Sequence, residues 1–164
     1  MVDARHGVVV GEGPAVLLLG CVKGKAGSAR MAKDLYISDR FGKRRAYANQ
    51  RGLLWFVLSA EHGLLHQDDV VAPYDVLLKA EPKSYRKAWG AWVIVRLRRA
   101  LGTLVGLRLA VPAGDASPQS LIAPPRAAGA AVISPLQARP PRQQRPWCLS
   151  PHAPATRPIP RFTP

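Results

Sequence analysis

Only two of the 164 residues are cysteine, at positions 21 and 148. Two thiols at opposite ends of a chain this long do not make a disulfide framework, so the sequence reads as that of a cytoplasmic protein kept in a reducing compartment. No apolar run approaches the ~20 residues needed to cross a bilayer, which argues against an integral membrane protein. Leu18-Leu19-Gly20-Cys21 has the look of a lipoprotein cleavage box. The apolar run ahead of it is short, however, and Gly11-Glu12-Gly13-Pro14 sets a charge and helix breakers in front of it. Acid is scarce as well: 10 Asp and Glu stand against 24 Lys and Arg, a formal charge of +14. An excess of that size favours anionic partners, a nucleic acid or a phosphorylated small molecule, because the field attracts phosphate. Walker and dinucleotide fingerprints are missing, and no pair of residues has ligand spacing such as C-x2-C or H-E-x-x-H. No cofactor and no metal site is therefore expected. Oligomeric state cannot be read from the chain.

A hydrophobic share of 48% is enough to bury the core of one ordinary domain. Residues 1–14 read as a flexible leader. Ala15 to Cys21 is a continuous apolar run of strand length, the pattern of a strand covered on both faces. A short helical piece is expected within 29–36. Ser38-Asp39 then offers N-cap chemistry for a helix that ends at Gly52 and shows Lys43, Arg44, Arg45 and Arg51 to solvent.

Leu53 to Leu58 forms a second buried strand, closed by Ser59-Ala60-Glu61-His62-Gly63. Glu81-Pro82 announces a long helix whose apolar face carries Tyr85, Trp89, Trp92, Val93, Leu97, Leu101 and Leu104. That spacing makes its aromatics core rather than a base-stacking platform. Leu107 to Val111 supplies a third strand, Ser117 to Ala128 a further helix, and Ala131-Val132-Ile133 a fourth strand.

Strands alternating with helices imply parallel pairing, hence a single three-layer Rossmann-like α/β domain of about four parallel strands over residues 15–136. Residues 137–164 hold eight Pro and five Arg and no acid, so they cannot bury enough surface to offset ordering. They are expected to be a disordered tail. Residues 1–136 alone carry 19 basic and 10 acidic side chains, so the folded part is itself basic.

In an open parallel sheet ligands bind beyond the carboxyl ends of the strands. The polar residues collect there. The first strand delivers Cys21, Lys23 and Lys25; the second delivers Ser59, Glu61 and His62; the third delivers Asp115. Tyr36, Tyr74 and Asp75 lie in adjoining loops. Lys23 and Lys25 flank glycines that let backbone approach a phosphate or carboxylate, though two solvated lysines in a turn would look the same. Cys21, beside the lysines, is a candidate nucleophile, against the plainer reading of a small residue packed at a strand end. His62 with Glu61 offers acid/base chemistry near neutral pH, against the reading of a hydrogen-bonding cap. Ser59, Tyr36, Tyr74, Asp75 and Asp115 complete a candidate ligand-binding set.

The ordered series Gly20-Cys21-Val22-Lys23-Gly24-Lys25, Ala32-Lys33-Asp34-Leu35-Tyr36-Ile37-Ser38, Phe41, Arg44-Arg45-Ala46-Tyr47-Ala48, Trp55 to Leu64 and Pro73-Tyr74-Asp75 resembles the bacterial and phage domain-of-unknown-function family 6884. The resemblance spans about residues 15–136. It implies an α/β domain with these polar residues at strand ends, and it carries no activity. Two departures stand out: Ser117-Pro118 where the family has an aromatic residue, and dissolution of the pattern after Pro135-Leu136. The second makes the tail a candidate out-of-frame or unrelated segment, and at the extreme a degraded reading frame. Two function classes follow: an enzyme acting on a nucleotide, nucleobase or nucleic acid, or a non-catalytic module that binds nucleic acid or nucleotide through the same basic loop and helices.

Overall fold

The computed structural model describes residues 15–112, 126 and 129–133. Strand β1 (Ala15–Gly20) is followed by a two-residue strand β2 (Arg30–Met31), helix α1 (Ala32–Leu35) and helix α2 (Asp39–Gln50). Strands β3 (Leu54–Ser59), β4 (Gly63–Leu65) and β5 (Val70–Val71) lead through a single 3-10 turn to the long helix α3 (Lys83–Leu101). Strands β6 (Arg108–Ala110) and β7 (Ala131–Ile133) close the described part.

The main sheet has the order β4-β3-β1-β6-β7. β3, β1, β6 and β7 run parallel, with Leu18 opposite Phe56, Val16 opposite Leu109 and Leu109 opposite Val132. These are the four strands expected from the apolar runs, in a mixed α/β architecture. Alternate residues serve opposite faces, as the period of a strand requires. Val16, Leu18, Phe56 and Leu58 pack with Trp89, Val93, Ile94 and Leu97 of α3 on one face. Leu17, Leu19, Trp55 and Val57 pack with Leu35, Phe41 and Ala48 of α1 and α2 on the other. The result is three layers around a sheet buried on both sides.

Two strand pairings were not expected. β4 returns antiparallel beside β3, with Leu58 opposite Leu64. The reversal turns on Gly63, whose φ of 71° is open to glycine at little cost. β2 and β5 form a separate antiparallel pair, Arg30 opposite Val71. Pieces of two or three residues have no periodicity to betray them.

Several helix expectations hold and others need correction. Ser38 caps α2, its Oγ accepting the Phe41 N–H at 3.1 Å, and the chain leaves the helix at Arg51 and Gly52. Arg44, expected in solvent, is only 6% exposed, because it shares the inward stripe of α2 with Phe41 and Ala48. Arg45 is half-buried, its guanidinium donating to the Lys33 carbonyl and, at 2.8 Å, to Asp34 Oδ1. On α3 the buried stripe is Trp89, Gly90, Val93, Ile94 and Leu97. Trp92, expected in the core, sits at the flank of that stripe and is 41% exposed. Leu104 lies beyond the helix, which ends at Gly102 (φ 76°), yet is buried. The expected leader, the Ser117–Ala128 helix apart from Arg126, and the Arg- and Pro-rich tail lie outside the described residues. Among the described residues no helix is long and apolar enough to cross a membrane.

Candidate functional site

β1 has β3 on one side and β6 on the other, so the chain moves outward through β3 and then recrosses by way of α3. That reversal makes the carboxyl end of β1 a topological switch point, where connections diverge to opposite faces and leave a crevice. Cys21 is the residue immediately after β1. Its N–H is held by the Leu58 carbonyl at 3.0 Å, and its free thiol is half-buried.

The loop after β1 folds back on the residues that follow α1. The Ala26 N–H donates to the Leu35 carbonyl and the Ile37 N–H to the Gly24 carbonyl. A side chain at residue 24 would come within 3.3 Å of the Ile37 carbonyl oxygen, so glycine fits this pairing best. The pairing sets Lys25 against Tyr36 and turns the ammonium inward, 4.2 Å from the Tyr74 ring centroid and 6.0 Å from that of Tyr36.

Tyr74 is the hub. Its hydroxyl accepts from Ser59 Oγ at 2.8 Å and shares a 2.9 Å hydrogen bond with the Tyr36 hydroxyl. The His62 ring stands edge-on to the Tyr74 ring, centroids 5.3 Å apart. Ser59 Oγ also accepts the His62 N–H at 3.0 Å, which closes the turn after β3 and fixes where the imidazole leaves the backbone. Glu61 Oε1 lies 3.9 Å from His62 Nε2. The site therefore joins segments that are distant in sequence: Cys21 and Lys25, Tyr36, Ser59 to His62, and Tyr74.

Two supports escaped the sequence reading. Tyr85 donates its hydroxyl to the Ala60 carbonyl at 2.9 Å, and buried Trp89 donates Nε1–H to the Ser59 carbonyl at 2.8 Å. Their spacing marks them only as part of one apolar face. The signal available was chemical: Tyr and Trp packed against a core need a partner for their polar tip, and half-buried Tyr85 and buried Trp89 stand four residues apart at the start of α3.

Burial pushes the Tyr36 phenol up to about 12, with the nearby Cys21 and Glu61 adding to the rise against hydrogen bonds from Tyr74 and Ser59. Burial likewise pushes Tyr74 up, with Cys21 and Tyr36 as further causes. Both phenols are therefore neutral hydrogen-bond groups at physiological pH. In the unfolded chain these phenols ionise near the ordinary value of 10.0, while the folded protein retains their protons. The stability that Tyr36 contributes is complete below about pH 10 and is lost as pH climbs through about 12. Ultraviolet difference titration should find these two tyrosines silent at a pH where the urea-unfolded chain is already ionised. Their normal titration in the folded protein would contradict the buried arrangement.

Not every expected residue joins the cluster. Lys23 and Asp75 are exposed. Among the described residues neither takes part in the hydrogen bonds, ion pairs or ring contacts that tie the cluster together. Asp115 lies outside the described residues, so its expected place on this rim is not described. A hollow of about 510 Å³ opens beside Tyr36, edged by Lys33, Lys43 and Arg45. Among the described residues no three His, Cys, Asp or Glu side chains are grouped to hold a metal ion.

The sequence matches the model of a family of unknown function, DUF6884, over residues 16–150. The matched span thus runs past Leu136 into the Arg- and Pro-rich segment. No curated protein and no solved structure matches the chain.

Proposed function

We propose, for a chain that belongs to the family of unknown function DUF6884, an enzyme acting on a nucleotide, nucleobase or nucleic acid. One observation carries the reading: an imidazole and an ammonium stand against a single phenol, Tyr74, at the switch point of a parallel sheet, with the Cys21 thiol at the end of β1. Lys25 supplies the cation for an anionic group. His62, positioned by the Ser59 turn and paired with Glu61, moves protons. Cys21 is the nucleophile. The neutral hydroxyls of Tyr36 and Tyr74 can donate to, or accept from, the polar edge of a base. A single free thiol among the described residues is consistent with the reducing cytoplasm, where we place the protein.

A non-catalytic binding module is the second reading, favoured by the absence of acid from α3, which carries Lys83, Arg86, Lys87, Arg96, Arg98 and Arg99. Offering nucleotides, free bases, tRNA and single-stranded DNA to the protein, with product analysis beside binding over a salt series, separates the two. The enzyme reading expects conversion of at least one substrate class, abolished in Cys21→Ala and His62→Ala while binding persists. Lys25→Ala should weaken the binding of anionic ligands and flatten the salt dependence by about 0.7–0.9 for each phosphate that is no longer neutralised. Conversion at the wild-type rate by both the Cys21 and His62 variants would remove the reaction centre. Binding without conversion of any of these compounds would leave the module reading.

A further inference from the structure

We infer that the groove between α3 and β4 is a track for single-stranded nucleic acid, with Trp92 as a base-stacking platform and Arg96 and Arg99 as phosphate contacts. The inference rests on the nucleic-acid branch of the proposed function and names the substrate form. The groove encloses about 690 Å³ and has Phe56 and Leu64 in its wall. Both are buried residues of the main sheet, so the wall is rigid and apolar.

Trp92 is an anomaly for a folded core. A large aromatic 41% exposed, beside Val95 at 62%, leaves apolar surface at the groove for a ligand to cover. The ring is nevertheless held in place. It lies against Gly63, where a β-carbon would come within 3.0 Å of the ring, and the Arg96 guanidinium is 5.7 Å from its centroid. A preplaced indole beside arginines is the arrangement that takes an unpaired base and its phosphates, since every base offers a π-face and each linkage a negative charge.

Charge selects the same occupant. The six basic and no acidic residues of α3 complement a polyanion. The acid in the groove, Asp69, already accepts the His66 N–H at 2.8 Å, which ties it into its own turn. A duplex keeps its base faces stacked away from an indole, and an acidic peptide has no π-face to offer it. Gly63, on which Trp92 rests, directly follows His62 in the chain.

Of the described tryptophans, Trp55 and Trp89 are each 2% exposed, so in a full chain carrying Trp147→Phe, the fourth tryptophan of the sequence, quenching on ligand binding reads Trp92. The probes are a short oligothymidylate, the corresponding duplex and polyglutamate, tested on the full chain. Oligothymidylate should quench fluorescence and bind more tightly than either competitor. Trp92→Leu should weaken it about tenfold, and Trp92→Phe should keep most of the affinity. Arg96→Gln with Arg99→Gln should lower the salt slope by about 1.4, two single-strand phosphate contacts. Thermal melts would confirm that the variants are folded. Unchanged oligothymidylate affinity in Trp92→Leu would overturn the inference, and so would polyglutamate or duplex competing equally well through Trp92. If small nucleotides are still converted in a His62-dependent way while Trp92 is irrelevant, only the track falls. If the oligonucleotide binds through Trp92 and nothing is converted, the reaction centre falls and the track stands.

Discussion

Replacing Trp89 by alanine is expected to lower the unfolding free energy by about 3–5 kcal/mol. Trp89 is 2% exposed and packs against the β1 and β3 side chains on the α3 face of the sheet. Its removal opens a cavity that the flanking β-strands cannot collapse to fill, because both are held by parallel ladders. The indole also serves as a donor, since Nε1–H donates to the Ser59 carbonyl at 2.8 Å. Trp89→Phe isolates that hydrogen bond, because it keeps most of the apolar volume but leaves a carbonyl without its donor, at a cost of about 1–3 kcal/mol. Urea denaturation of both variants tests the ranking. The phenylalanine variant should also loosen the Ser59–Tyr74–Tyr36 chain and bring the two silent phenols closer to ordinary titration. A Trp89→Ala loss below about 1 kcal/mol would mean that α3 is not seated as described.

The second large effect is expected at Gly63, where valine should cost on the order of 2–4 kcal/mol from two sources. A β-branched residue at φ 71° is strained. A β-carbon there would also stand 3.0 Å from Trp92 Cε3 and 3.2 Å from Cδ2. The two can be separated by a double-mutant cycle. Trp92→Ala relieves the collision but not the backbone strain, so the pair should be less destabilised than the sum of the single changes, with a coupling of about 0.5–3 kcal/mol. Strict additivity in chemical denaturation would place the whole cost in the backbone and the indole elsewhere.

The apolar runs 15–19, 54–58 and 131–133 were legible as buried strands because a strand covered on both faces has no reason to alternate, and Leu107 to Val111 was legible despite Arg108. The Ser38 cap was legible because it is local chemistry. β4 was not, since Leu64 and Leu65 become a strand only through β3 and the Gly63 reversal. Arg44 and Trp92 were misplaced for a common reason: a helical stripe defines its centre well and its flanks poorly, and neighbours on other elements decide the flanks.

For the site, nearness to strand ends gathered Cys21, Lys25, Ser59, His62, Tyr36 and Tyr74. It could not distinguish Lys25, drawn under two aromatic rings, from exposed Lys23. That choice depends on the pairing of the loop with residues 35–37. Tyr85 and Trp89 were visible as hydrophobic residues and invisible as donors, because which carbonyl a buried polar tip reaches is a tertiary fact.

The central position of β1 also governs when the molecule can assemble. Its ladder joins Val16 to Leu109, 93 positions away, and Leu18 to Phe56. Closing loops of that length comes before any reward from the contacts they make, which places the domain among slower folders of high contact order. On the ribosome β1 can pair with β3 early but waits for β6, so one edge of an apolar strand stays open until residues 108–110 have emerged.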